Sequence, residues 1–206
     1  MAFFVVDQTK LVKGAGRIMY AADSVTKPAK IGDVINTSTY DAQTNWFDLG
    51  ATREGIQITV NNTESGFDVD QVNGLLLTTP DNWECSVTTN LAEVTLENMV
   101  IAWEGAAVTT DTGVTPSEKE TGFAGATSYT ERRLAVLFKK PSSSVPQALV
   151  GYFFHRAVRA PQEGTLNFQK GGDAQVIPVR WNILADATES DPLKAFFRVR
   201  EQQDFT

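Results

Sequence analysis

Several stretches of the chain alternate apolar and polar side chains, the pattern of a half-buried strand whose successive residues point to opposite faces. Ile56, Ile58 and Val60 interleave with Gln57 and Thr59, Phe67 and Val69 with Asp68 and Asp70, and Trp83, Cys85 and Val87 with Glu84, Ser86 and Thr88. In the second half Leu134, Val136 and Phe138 read the same way. So do Leu166 with Phe168, the set Ile177, Val179, Trp181 and Ile183, and the set Ala195, Phe197 and Val199. The run around Val150 is more continuously apolar, which suits a strand covered on both faces. Gly171-Gly172-Asp173 separates two of these runs and predicts one hairpin over 166–183. Pro178, which lacks an N–H, pushes the second arm of that hairpin toward an edge or a bulge.

One helix interrupts this β-rich pattern. Asn90 is placed to cap it and Glu93, three residues on, completes a capping-box-like signal. Ala92, Leu96, Met99, Val100 and Trp103 form a stripe at helical spacing that should pack on a sheet, with Glu93 and Glu97 on the wet side. Two stretches lack any core pattern: 36–45 is small and polar, and 104–131 is rich in Gly, Thr and Ser. Structureless connections of that length are uncommon in compact domains unless they bind something or stay disordered, so both are candidate assembly arms. The expectation is a mainly β chain forming a single domain over 1–206, with one helix and long loops.

Composition narrows the function. A length of 206 residues with 42% hydrophobic and 21% charged side chains supports a sizeable core. The formal net charge of -7 argues against a protein whose main task is gripping phosphates. That charge is unevenly divided: residues 1–131 hold 7 basic against 18 acidic side chains, and residues 132–206 hold 11 against 7. Such a split suits head-to-tail assembly, in which an acidic face of one copy meets a basic face of the next, or neutralises itself within one molecule. The run Ala148 to Phe154 is the longest unbroken apolar stretch, far short of the ~20 residues a helix needs to cross a bilayer. The start MAFFVVDQ lacks the basic flank and longer apolar region of a secretory signal, so folding in a cytoplasm is expected.

Catalytic chemistry finds little support. The single histidine, His155, has no evident partner for a triad or a metal site and reads as structural. Cys85, the only cysteine, sits on the apolar face of its strand and reads as a small buried hydrophobe. The run Asp68 to Gly74 misses the ligand spacing of a calcium loop, and Gly14-Ala15-Gly16 lacks the lysine and hydroxyl residue of a phosphate loop. No enzyme, cofactor or metal is expected.

Taken in order, GRIMYAA, WFDLGATREGIQITV, the acidic strand FDVDQ, WECSVTTN and the helix segment NLAEVTLENMVIAW form a succession that resembles the major tail protein, or tail tube protein, of long-tailed bacteriophages. Its sharpest part is DLG-x-T-x-x-G-I at Asp48–Ile56, and it covers most of residues 16–103. The resemblance implies a β-sandwich or half-barrel flanked by one helix, six copies closing into a ring, and rings stacking into a tube through which DNA passes without specific binding. It implies a virion protein whose partners are further copies of itself, a tape measure protein and tail-tip or terminator proteins. Alternation puts Asp68 and Asp70 on a wet face, with Phe67 and Val69 turned to the core. The resemblance makes that face the lumen, where acids would repel DNA. A stand-alone carbohydrate-binding sandwich stacking sugar on Trp46 or Tyr40 is the rival reading, and a contractile-injection or type VI secretion tube is a related one.

Overall fold

In the computed structural model, residues 16–69, 72–124, 128–140, 148–161 and 175–202 are described, with backbone alone at 67–69 and 72–77. Among these residues the fold is mainly β, one large antiparallel sheet with a single α-helix. In chain order the sheet strands are β1 (Arg17–Ala22), β2 (Phe47–Asp48), β3 (Thr52–Val69), β4 (Val72–Leu91), β7 (Arg132–Lys139), β8 (Leu149–Arg159), β9 (Ile177–Ile183) and β10 (Phe197–Glu201). The helix α1 is Leu96–Trp103, and β5 (Thr109–Asp111) with β6 (Glu118–Glu120) makes a separate two-stranded ribbon. The sheet runs β2-β1-β7-β8-β9-β4-β3. It forks at β8, one edge of which pairs with β9 at Ala157–Arg159 and with β10 at Val150–Phe154.

Alternation turns one face of nearly every strand inward. Ile18, Leu134, Val136, Phe154, Trp181, Val87 and Leu91 line a concave core, together with Ile101 and Ala102 of α1. On the opposite face of β1, β7 and β8, Met19, Ala135, Leu137 and Phe153 form a second core beneath Ile31, Val34, Ile35 and Trp46. The sheet is thus a half-barrel around α1 with its β1–β7–β8 portion covered on both sides. This explains the continuous apolar run of β8.

The helix begins later than its sequence signals suggest. Asn90 stays in β4, paired with Arg53 and Pro178. Thr95 is the N-cap, and its hydroxyl accepts the Asn98 N–H at 3.1 Å. Ladder bonds on both sides of Asn90 outweigh the contribution of about 1 kcal/mol that a cap makes. Glu93 accepts the Ala51 N–H at 2.8 Å and lies over Gly50, whose φ of +81 and lack of a Cβ make room for the carboxylate. The predicted stripe is also rotated. Ala92 lies before the helix, Leu96, Met99, Val100 and Trp103 are half-buried, and the fully buried positions are Asn98, Ile101 and Ala102. Asn98 can be buried because its amide donates to the Leu49 and Glu93 carbonyls at 3.1 and 2.8 Å.

The segment 36–45 is a folded-back turn. Ile35 bridges Ala42, the Asn36 side chain accepts the Ser38 and Thr39 N–H groups, and Tyr40 packs against the second core. Within 104–131 the β5–β6 ribbon replaces the expected structureless loop. It is closed at its base by Ala106 N–H to the Gly122 carbonyl and by Phe123 set edge-on against Trp103 at 5.5 Å. The hairpin expected over 166–183 lies partly outside the described residues. Its second arm, β9, is an interior strand between β8 and β4, and Pro178 is accommodated past the last β8 pair, Arg159↔Trp181, where β4 alone flanks it.

Candidate interaction surface

The stretches 56–60 and 67–69 are one strand, β3, and 83–88 belongs to β4; together they make a single hairpin of 18 and 20 residues. The polar run 61–66 contains the turn-favouring residues Asn61, Asn62, Ser65 and Gly66, yet it stays extended because it pairs across the hairpin with 78–84. A bulge between Arg53 and Ile56 sets the twist at the base. There Glu54 takes φ 65, and Thr89 and Asn90 side chains donate to the Gly55 carbonyl and the Glu54 carboxylate. β9 supports β4 only along Cys85–Leu91. From Asn61 and Glu84 outward the hairpin is a two-stranded ribbon reaching about 25–30 Å at ~3.3 Å per residue.

This ribbon offers main-chain hydrogen bonding on a large scale. β3 ends the sheet, so among the described residues its outer edge has no strand partner over its whole length. At the far end of the sheet the short strand β2 covers Met19 and Tyr20 of β1, and the Leu49 N–H bonds the Ile18 carbonyl at 3.1 Å. An open sheet with two such edges can be continued from copy to copy. The ribbon is also acidic: no Lys or Arg occurs between Arg53 and Lys119, whereas Glu64, Asp81 and Glu84 are exposed along it. The sheet face of β3, β4 and β9 opposite the concave core is polar, in rows Gln57–Thr88–Arg180 and Thr59–Ser86–Asn182.

The backbone pair Asp68↔Leu75 puts Asp68 near the ribbon tip. The side chains of Phe67, Asp68 and Val69, and all of Asp70, lie outside the described residues. Cys85 is 4% exposed, and burial pushes its thiol up to about 11, leaving it an inert core residue. Trp83, on the same face, is 51% exposed because β9 stops opposite Cys85. The loop aromatics of the carbohydrate reading are not presented: Trp46 is buried, and Lys139 covers the Tyr40 ring at 4.0 Å.

His155 is wholly buried, and among the described residues neither ring nitrogen has a hydrogen-bond partner. Around it Lys27 pairs with Asp186, Arg198 with Glu189 at 2.5 Å, and Glu189 lies 4.0 Å from Nε2. Burial, then the positive charges of Arg198 and Lys27, hold the imidazole below its usual pKa. Burial alone would raise the Asp186 carboxyl, but hydrogen bonds from Lys27 and Thr188 together hold it well below the carboxylate range. Among the described residues no group of three His, Cys, Asp or Glu side chains is placed to hold a metal ion.

Sequence reasoning missed the ribbon as a unit and the exposure of Trp83. One signal for the ribbon was present, the absence of any basic residue between Arg53 and Lys119, but turn-type residues at Asn61-Asn62, Ser65-Gly66, Asn73-Gly74 and Pro80-Asp81-Asn82 divide it into shorter strands by sequence alone. No protein-family model matches the chain, and no curated protein sequence matches it.

Proposed function

We propose that this chain is a structural subunit that polymerises, through rings of sixfold closure stacked on one another, into a tail tube of a long-tailed bacteriophage. The observation that carries the reading is the combination of a long projecting acidic ribbon with an open sheet whose two end strands face outward. Head-to-tail pairing of the β3 edge with the β1–β2 end of the next copy would extend the sheet around a ring, because a heterologous contact closes whenever its rotation divides a full turn. The polar rows on β3, β4 and β9 would then furnish a water-facing inner wall. The ribbon suits bridging to an adjacent ring, and the net negative charge suits a conduit along which DNA slides without being held. In this reading the partners are other copies, with tape measure and tail-tip or terminator proteins at the ends.

Electron microscopy and sedimentation over a concentration series test the reading. Rings or hollow tubes are expected. Compact monomers throughout, including in the presence of a tail-initiation complex, would overturn it.

A further inference from the structure

The fork between β10 and the β3–β4 ribbon opens into a groove of about 650 Å³. Its walls are mainly apolar, Val60 and Trp83 from β3 and β4 and Leu193, Phe196, Phe197 and Val199 from the other side, with Glu84 and Lys194 also in the lining. Leu193 is 94% exposed and Trp83, Val199 and Val60 are each about half exposed. The exposed rings of Phe47 and Phe123 each sit on a neighbour, Phe47 on Tyr20 and Phe123 on Trp103. A contiguous apolar patch of this kind is where water favours a covering partner.

The path of the chain indicates what covers it. Gly16 lies against the Phe138 ring and Ile56, so close that a Cβ there would strike Phe138. Phe138 meets Tyr152 edge-on at 6.0 Å, and Tyr152 is paired in register with Val199, which lines the groove. Ile56 occupies the same face of β3 as Val60, four residues away, which is another groove wall. The chain therefore joins β1 beside Ile56, about 13 Å along β3 from the groove wall at Val60, within reach of the groove. Residues 1–15, outside the described residues, include the apolar run Phe3-Phe4-Val5-Val6. The nine positions between Val6 and Gly16 reach about 30 Å when extended, enough to return along the groove.

We propose that this groove is the docking site of the chain's own Phe3–Val6 segment, whose side chains seat between Trp83 and the Leu193–Val199 wall in the same copy. The inference goes beyond tube assembly and does not depend on it.

Photo-crosslinking in the full-length protein tests it. A benzoylphenylalanine replaces Phe4, and these copies are mixed with wild-type copies uniformly labelled with heavy nitrogen before irradiation. The expected product joins position 4 to unlabelled peptides containing residues 80–84 or 192–199. Leu193→Asp with Val199→Lys, both at exposed positions, should abolish that product and lower the melting midpoint, while leaving the far-ultraviolet circular dichroism of the folded protein unchanged. Attachment to heavy-labelled peptides would mean that a second copy fills the groove, and would overturn the assignment. Attachment elsewhere, no attachment, or a yield indifferent to the Leu193 and Val199 substitutions would overturn it equally. Assembly is scored separately by microscopy on the same samples, so failure of the tube reading leaves this result distinct.

Discussion

Burial without a hydrogen-bond partner keeps the His155 imidazole neutral in the native state, and this has a measurable pH signature. The unfolded chain binds a proton on this residue near pH 6.5, whereas the native chain resists until lower pH. The unfolded state therefore carries more protons between those two values, and stability falls as pH drops below about 6.5, by up to ~1.4 kcal/mol per unit. Asp186 and Glu189, both held low by their cationic partners, add their own loss only below about pH 4–5, where unfolded carboxyls take up protons. Urea unfolding from pH 7 to 5 should show a falling midpoint in the wild type and a flatter one in His155→Leu. A second residue-scale test concerns the buried pair of Arg132 and Glu104, which ties the end of α1 to β7. Arg132→Ala leaves a carboxylate buried without its partner and should cost ~3–5 kcal/mol, while Arg132→Met with Glu104→Leu should recover most of that. Chemical denaturation reads both.

At the scale of elements, α1 and the β3–β4 ribbon respond to different rules. Thr95→Ala removes the cap that starts the helix and should lower stability by about 1 kcal/mol. Asn90→Ala removes no cap and should leave the helix signal in far-ultraviolet circular dichroism unchanged. The ribbon is held by its own cross-strand pairs and makes no buried contact at 61–66, so the body does not need it. Deleting Thr63–Gly66 together with Thr78–Asn82 preserves the flanking register and should move the melting midpoint by no more than a few degrees. On the proposed function the same deletion should abolish tubes, and normal tubes from the shortened chain would refute a bridging role.

For the whole molecule, the division of charge becomes spatial: the projecting ribbon is acidic, while β8, β9 and β10 carry Arg156, Arg159, Arg180, Arg198 and Arg200. Several of these are neutralised internally, Arg156 by Glu131 and Arg198 by Glu189. Arg180 and Arg200 remain exposed to meet an acidic neighbour. Contacts between exposed charges weaken as the Debye length shrinks from about 10 Å at 0.1 M salt toward 3 Å at 1 M. The protein concentration at which light scattering first reports polymer should therefore rise with salt. A threshold indifferent to salt would assign assembly to main-chain and apolar contacts alone.

The alternation of Ile56–Val60, Leu134–Phe138 and Ile177–Ile183 by itself determined the mainly β fold and which side chains share a face, because pleating fixes a period of two whatever the strand's neighbours are. Cys85 as an inert core residue was legible for the same reason. What only the tertiary structure decided was how these strands join and where they stop. Asn90 satisfies both a capping pattern and a strand pattern, and the flanking ladders of β3 and β9 settle which holds. The helix stripe shifted because Asn98 finds two carbonyls across the fold, partners that no local spacing reveals. Trp83 is half exposed although its alternation matches that of buried Val87, since burial there depends on how far β9 extends. The candidate surface shares this origin: edges, forks and projecting ribbons are properties of strand order, set by contacts between residues far apart in the chain.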